Sequence, residues 1–175
     1  MDLIVTWTVQ TRTGRIYGFS ALTSIDRATG LAELIRIDNK TSNYVAAKFI
    51  ESWLSRYPIP FSCCHDNGGK FTGSEFQTTL SDFGIKDVPT ICRNPAANGM
   101  CEQMHQTVAN VLRTLVHTEH PCTLKTPRRM VDGALATASH AIRANVSTVS
   151  GYSLGALAFY TVMLLDMPIG DCSGF

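Results

Sequence analysis

Little in the composition of this sequence singles out a function. Its 15 lysines and arginines nearly balance 14 aspartates and glutamates, so the formal charge is only +1, and any attraction to a polyanion must be local. The one long apolar stretch, 154–165, is interrupted by Gly155 and is too short to cross a bilayer. The six cysteines lack the spacing of a disulfide scaffold, which favours reduced thiols. We therefore expect a soluble, intracellular protein without a membrane partner.

The chain does have the composition of a globular domain. It contains 175 residues, of which 45% are hydrophobic and 17% charged, enough to bury one ordinary core. Three segments near the start are rich in β-branched and aromatic residues, and short polar turns that end in glycine separate them. They predict a three-stranded antiparallel meander at 3–9, 16–25 and 31–37.

The rest of the chain predicts helices that alternate with strands. The predicted elements are a helix from Thr41 or Ser42 to Pro58, a strand at 60–65, a helix at 73–83, a strand at 88–91, and helices at 100–117 and 130–146. This order predicts an α/β layer fold with a mixed sheet. We expect one domain over 1–148, with 149–175 as a poorly defined extension of the core.

Two acidic residues stand in distinctive local settings. Asp66 ends a hydrophobic strand and is followed by Asn67-Gly68-Gly69, a sequence that turns the chain sharply. Glu102 lies 36 positions later, in the first turn of an amphipathic helix that follows a loop rich in Asn, Pro and Gly. Each acid alone also suits an ordinary role, in a turn or at a helix dipole, and fourteen acids make any single spacing easy to meet by chance.

The surrounding motifs carry more information than the spacing. The segments DLIVTWTV, HDNGGKFTGSEFQ and NPAANGMCEQMHQTVANVLRTL resemble the D,D(35)E catalytic core of retroviral-type integrases, closest to those of gypsy-like LTR retrotransposons. The resemblance extends over most of the chain. It implies a ribonuclease H-like fold, with a five-stranded mixed sheet flanked by helices. In that fold the first and fourth strands are neighbours, and the helix with the third acid crosses their ends.

The resemblance also implies a catalytic site built from Asp2, Asp66 and Glu102. These three carboxylates would hold two Mg²⁺ or Mn²⁺ ions, with Asp2 bridging both. Oxygen ligands suit hard cations, and a metal pair can serve both the attacking and the leaving oxygen of a phosphodiester. The implied activity is 3'-end processing and strand transfer of DNA, which constitutes DNA integration.

Further residues near these acids are candidates for contact with DNA. They are Asn67, Asn94, Asn98, His105, Gln106 and Arg113. For the asparagines, plain turn chemistry is the alternative. The resemblance implies element ends and target DNA as partners, a homo-oligomer, and a nuclear location. Cys63, Cys64 and His65 occupy successive strand positions and so alternate faces, which predicts buried strand residues and no shared metal.

Departures from the family pattern leave a second interpretation open. Lys70 stands where the family usually has glutamate, and Gln103 where it has arginine. Asp2 follows a single residue, which predicts a fraying ligand and weak catalysis in a truncated form. The alternative function is a catalytically inactive remnant that keeps the fold and binds nucleic acid or other subunits. A ribonuclease H proper is disfavoured because its acids are spaced differently.

Overall fold

A computed structural model of the chain describes residues 2–10, 16–89, 105–106, 108–111, 114, 125–146 and 151–159. The first strand is described through its backbone. Among the helices in these ranges, none is both long and apolar enough to span a membrane.

The first three strands form an antiparallel meander, as predicted. They are β1 (Asp2–Gln10), β2 (Ile16–Ile25) and β3 (Ala32–Ile37), in the order β1-β2-β3. Side-chain hydrogen bonds stabilise the turn between β2 and β3. The Asp26 carboxylate accepts hydrogen bonds from the Thr29 amide at 3.1 Å and from the Thr29 hydroxyl at 2.6 Å. Gly30 then adopts φ +77°, a conformation that favours glycine.

A helical and parallel-stranded unit follows the meander. It comprises α1 (Ser42–Phe49), which continues into a π-helical segment (Ile50–Leu54), then β4 (Ser62–His65), α2 (Gly69–Thr72), α3 (Ser74–Asp82) and β5 (Lys86–Pro89). Strands β4 and β5 pair in parallel. The short helix α2 was not predicted, and β5 begins two residues earlier than predicted.

Two further helices lie toward the end of the chain. They are α4 (Lys125–Ala144) and α5 (Leu154–Phe159). Helix α5 falls within the segment that we predicted to be poorly defined. Residues 105–106, 108–111 and 114 are also helical, which agrees with the predicted helix at 100–117 as far as the described residues extend.

The two faces of the meander are covered by different helices, because alternate strand residues point to opposite sides. On one side lie Phe19, Ala21, Ala32 and Leu34, in one cluster with Val108 and with α4 residues such as Val131 and Leu135. On the other side Leu22 and Ile37 share a cluster with α1 and α3 residues including Val45, Phe49, Phe76 and Leu80. Helices on both sides of a sheet confirm the α/β layer class.

Close backbone approach fixes α3 against the start of α1. A Cβ built on Gly73 would come within 2.5 Å of both Cβ and Oγ of Ser42, so only glycine fits without movement. The Ser42 hydroxyl accepts the amide of Phe76 at 3.0 Å. Phe76 is fully buried, and this contact therefore sets the position of a core aromatic ring.

A buried carboxylate on β3 joins distant parts of the chain. The Glu33 side chain is only 6% exposed. It accepts a bond from Arg143 of α4 at 2.5 Å, a short bond from the hydroxyl of Tyr57, and an ion pair with Arg56 at 3.9 Å. A buried charge is tolerated only when it is paired and bonded in this way.

The prediction of one five-stranded sheet is wrong for the described part of the chain. Its strands form two separate sheets, the three-stranded meander and the β4–β5 pair, and no pairing of β1 with β4 occurs there. The physical reason is that a strand pattern specifies which residues extend and which face they bury, but not which strand lies alongside.

Candidate functional site

Asp66 lies immediately after β4, at the start of the turn that leads into α2. Its side chain is 48% exposed, so the carboxylate is open to a ligand. Oδ1 accepts the amide of Gly68 at 3.1 Å, and Oδ2 pairs with the ammonium of Lys70 at 3.0 Å. Both carboxylate oxygens are therefore oriented by neighbours from the same turn.

The turn holds this geometry because of a glycine and a buried phenylalanine. A Cβ on Gly68 would approach Asp66 Oδ1 to 3.0 Å and Lys70 Nζ to 2.9 Å, so a larger residue would disturb the pair. The carbonyl of Gly68 accepts the amide of Phe71 at 2.9 Å and begins α2. Phe71 is fully buried and anchors that short helix. The sequence DNGGKF thus presents an oriented carboxylate at the surface.

Lys70 is the cation of this site. Its side chain is 16% exposed, and its ammonium lies 4.9 Å from the ring centroid of Phe71, within cation–π range. Lys70, which stands where the integrase pattern usually has glutamate, therefore contacts Asp66, the carboxylate for which the resemblance implies a catalytic role.

A second ionisable pair lies directly behind Asp66. His65 Nε2 is 2.6 Å from Oδ1 of Asp87 on β5, and His65 Nδ1 is 2.7 Å from the backbone carbonyl of Asp66. The His65 side chain has no exposed surface. Of the three residues predicted to be buried in the strand, Cys63 and His65 are buried, whereas Cys64 is only partly buried. The pairing of His65 with Asp87 was not predicted. No signal in the sequence could show it before the register of β4 and β5 was known.

Cys63 of β4 does not offer a reactive thiolate to the site. Burial raises the pKa of the Cys63 thiol to about 11, so it remains protonated at neutral pH. A protonated, buried thiol is a poor nucleophile and a poor metal ligand. The oxygen atoms of Asp66 are thus the better ligands in this region.

The other predicted site residues are only partly placed by the structure. Asn67 is exposed beside Asp66, and Gln106 is exposed on a helical segment, where it bonds Asn110 at 3.4 Å. His105 is half-buried beside Gln106. The backbone of Asp2 pairs with Thr23, whereas its side chain lies outside the description. Four predicted residues lie outside the described residues altogether: Asn94, Asn98, Glu102 and Arg113.

The convergence of the three acids therefore stays a prediction. Within the described residues, no group of three or more potential ligand side chains comes together. Asp66 nevertheless suits a hard cation, because it offers half-exposed carboxylate oxygens and already pairs with one cation, the Lys70 ammonium. A metal ion at these oxygens would compete with that ammonium for the negative charge of Asp66.

Known proteins with similar sequences are polyproteins of retroviruses and a transposon. No family model matches the chain. It is 34% identical over 76 residues, 43% of its length, to the Gag-Pro-Pol polyprotein of squirrel monkey retrovirus. It is 30% identical over 101 residues to the Gag-Pol polyprotein of feline leukemia virus, and 28% identical over 89 residues to the retrovirus-related Pol polyprotein from transposon TNT 1-94 of Nicotiana tabacum. The chain spans only 4% to 6% of the length of these relatives.

Solved structures with a similar fold include integrase catalytic cores. The catalytic core of BIV integrase matches 91% of this chain and 93% of its own, with a TM-score of 0.63 at 19% identity. The HTLV-2 integrase catalytic core in complex with magnesium, in a trimeric form, matches 90% and 93%, with a TM-score of 0.67 at 19% identity. A chain from the simian T-cell lymphotropic virus intasome with PP2A regulatory subunit B56 gamma matches 93% and 55%, with a TM-score of 0.73 at 16% identity.

These likenesses define the class of the fold. The chain has the fold of a retroviral integrase catalytic core, which is ribonuclease H-like. Its sequence is similar to retroviral and transposon Pol polyproteins.

Proposed function

We propose that this chain is the catalytic core of a retrotransposon integrase, closest to the gypsy-like group, and that it processes and transfers DNA 3' ends. The observation that carries the proposal is the placement of Asp66. Its carboxylate stands half-exposed at the end of β4, in an oriented turn, within a fold shared with integrase cores. The sequence similarity to retroviral polyproteins supports the same function.

The carboxylates of Asp2, Asp66 and Glu102 would hold two Mg²⁺ or Mn²⁺ ions. When bound, such ions activate the attacking oxygen and neutralise charge on the phosphate and the leaving group. The chain itself supplies orientation. The Gly68 amide fixes one oxygen of Asp66, and Lys70 adds positive charge beside the other.

The proposed partners are the element ends, target DNA and further copies of this chain. The DNA contacts are assigned to Asn67, Asn94, Asn98, His105, Gln106 and Arg113. A trimeric form and an intasome occur among the structural neighbours, which supports an oligomer. Action on chromosomal DNA requires a nuclear location.

The decisive experiment is DNA nicking and strand transfer by the purified chain with Mn²⁺. We expect Asp66→Asn, Glu102→Gln and Asp2→Asn each to abolish both reactions while circular dichroism and the melting temperature stay near wild type. Asp82→Asn is the matched control, because it removes an exposed carboxylate at the end of α3. Persistent activity in the Asp66 or Glu102 variant would refute the proposal.

One observation favours a second candidate, a catalytically inactive remnant. The ammonium of Lys70 pairs with Asp66 at 3.0 Å and would oppose metal binding there. A remnant would bind labelled DNA or other integrase subunits but would show neither nicking nor saturable Mn²⁺ binding that depends on Asp66. Titration of Mn²⁺ against the wild-type chain and Asp66→Asn separates the two candidates.

A further inference from the structure

We propose that His65 and Asp87 are positioning residues for Asp66, which they hold through its backbone carbonyl. The inference rests on the proposed function of Asp66 as a metal ligand. It assigns a role to a buried histidine and an aspartate of β5 that the three-carboxylate site does not include. Neither residue touches the carboxylate of Asp66 in the contacts described above, so both would act through the peptide group.

The orientation of the His65 ring is fixed by packing. Its ring centroid lies 5.1 Å from that of Phe71, with the planes 29° apart, and 5.9 Å from that of Phe76, with the planes perpendicular. Both phenylalanines are fully buried. A rotation of the imidazole by 180° would turn carbon atoms toward its two polar partners, so the packed ring has one productive orientation.

The direction of the hydrogen bonds follows from the chemistry of the partners. A backbone carbonyl can only accept, so Nδ1 of His65 must carry a hydrogen and donate it to Asp66 at 2.7 Å. On the other side, one hydrogen lies between Nε2 and the Asp87 carboxyl at 2.6 Å. Whichever atom holds that hydrogen, Asp87 fixes the ring so that Nδ1 remains the donor toward Asp66.

Strand register explains why Asp87 reaches His65. In the parallel pair, Cys63 lies opposite Asp87 and His65 lies opposite Pro89. Side chains two residues apart on a strand share a face. Asp87 and His65 therefore project to the same side of the sheet, offset by two residues along the strands. The side chain of Asp87 on β5 therefore reaches His65 at the end of β4, next to the candidate ligand Asp66.

The Asp66 carboxylate depends on this contact because only two side-chain torsions separate it from the backbone. The bond from Nδ1 fixes the peptide plane that follows Asp66, while the Gly68 amide fixes Oδ1. A ligand must be held within about 0.5 Å of its productive position to be effective. Partners outside the ligand shell commonly change metal affinity by about 10-fold to 100-fold when they are lost.

Two substitutions of His65 separate positioning from packing. Asparagine carries its amide nitrogen at the δ position and can still donate to the carbonyl of Asp66, whereas glutamine carries it at the ε position, toward Asp87. Both variants lose a similar part of the ring contact with Phe71. We expect His65→Gln to lower Mn²⁺ affinity by about tenfold, with His65→Asn within about threefold of wild type. Asp87→Leu keeps a side chain of similar size but offers Nε2 no hydrogen-bond partner, and it should lower the affinity to a similar extent as His65→Gln. Asp82→Asn should match wild type.

Mn²⁺ affinity would be measured by water-proton relaxation, and folding by the melting temperature. A third readout, the NMR shift of the Asn67 amide, reports the bond to the preceding carbonyl without any metal. It should move in His65→Gln and stay close to wild type in His65→Asn. Equal affinities and equal Asn67 shifts in the two variants would overturn the positioning role.

The failure of the proposed function gives a different result. If Asp66→Asn leaves the Mn²⁺ affinity of the wild-type chain unchanged, Asp66 is not a ligand, and the proposed function falls together with the positioning role. If Asp66→Asn abolishes binding while His65→Gln and Asp87→Leu bind as tightly as wild type, the positioning role alone falls.

Discussion

At the scale of single residues, the ion pair between Lys70 and Asp66 makes a prediction about the proposed metal site. Lys70→Met keeps the length of the side chain but removes the ammonium that lies 3.0 Å from Asp66 Oδ2. We expect Mn²⁺ affinity to rise by up to about fivefold, because an exposed ion pair contributes at most about 1 kcal/mol. Lys70→Glu should raise it further, and isothermal titration calorimetry measures both changes.

A matched pair of the same kind provides the control. Lys48→Met removes the ammonium that pairs with Glu51 at 2.6 Å and should leave Mn²⁺ affinity unchanged, because neither residue belongs to the proposed site. If Lys70→Glu instead weakens DNA binding and leaves metal affinity as it was, Lys70 serves phosphate binding rather than opposing metal.

A second residue-scale consequence concerns Tyr57 and alkaline pH. Burial and the hydrogen bond to Glu33 raise the pKa of Tyr57 from 10.0 to about 12. The folded state therefore keeps the phenolic hydrogen at a pH where the unfolded state has lost it. This stabilisation is complete below pH 10 and disappears as the pH rises through 12.

We expect Tyr57→Phe to remove that pH dependence. Its deficit in unfolding free energy relative to wild type should be largest below pH 10 and should shrink by pH 12, as followed by urea denaturation. A Tyr57→Phe deficit that stays constant to pH 12 would contradict the role assigned to the hydroxyl.

At the scale of elements, local sequence patterns predicted the bounds of several strands and helices well. The predicted bounds of β2 match Ile16–Ile25, and the helix predicted at 73–83 is observed as Ser74–Asp82. Helix α2 was missed because Gly-Gly indicates a turn, whereas the burial of Phe71, which anchors it, is a tertiary effect. The start of β5 was misplaced because Lys86 and Asp87 are polar and exposed, so no apolar pattern marks them.

The packing of α3 against α1 makes a clear prediction at this scale. Gly73→Ala would place a methyl group 2.5 Å from Ser42, and we expect a loss of about 1 to 3 kcal/mol in unfolding free energy from overpacking. Gly69→Ala is the matched control, since a Cβ there meets nothing within 4 Å, and it should be neutral or slightly stabilising. Denaturant titrations measure the unfolding free energy of both variants. Equal values would show that α3 can move away from Ser42 at no cost in stability.

At the scale of the whole molecule, the sequence predicted the class of the fold but not the pairing of its strands. The nearly continuous burial of β2 and β3 shows that both faces of the meander are buried, and helices cover the two faces. Which edge of β4 meets which strand is a non-local property that no window of residues encodes. For the candidate site, DNGG located Asp66 at a strand end, while its partners Lys70 and His65 emerged only from the folded turn.

The shared sheet predicts that the two cores unfold together. Leu135→Ala opens a cavity on the α4 side and Phe76→Ala one on the α3 side, each costing about 2 to 5 kcal/mol. Both cores include residues of β2 and β3. We therefore expect tryptophan fluorescence and far-ultraviolet circular dichroism to report one coincident unfolding transition in each variant. Two separated transitions in either variant would show that the cores are independent units.

The bond between Glu33 and Arg143 has a consequence for how the protein is made. The two residues are 110 positions apart, so a ribosome adding about 5 to 20 residues per second needs roughly 5 to 20 s to supply the arginine. During that interval the nascent meander lacks α4 over Phe19 and Leu34, and its buried carboxylate lacks the closer of its two guanidinium partners, that of Arg143. Slow codons between these positions should prolong the exposure and lower the soluble yield, whereas a chaperone that holds nascent strands should restore it.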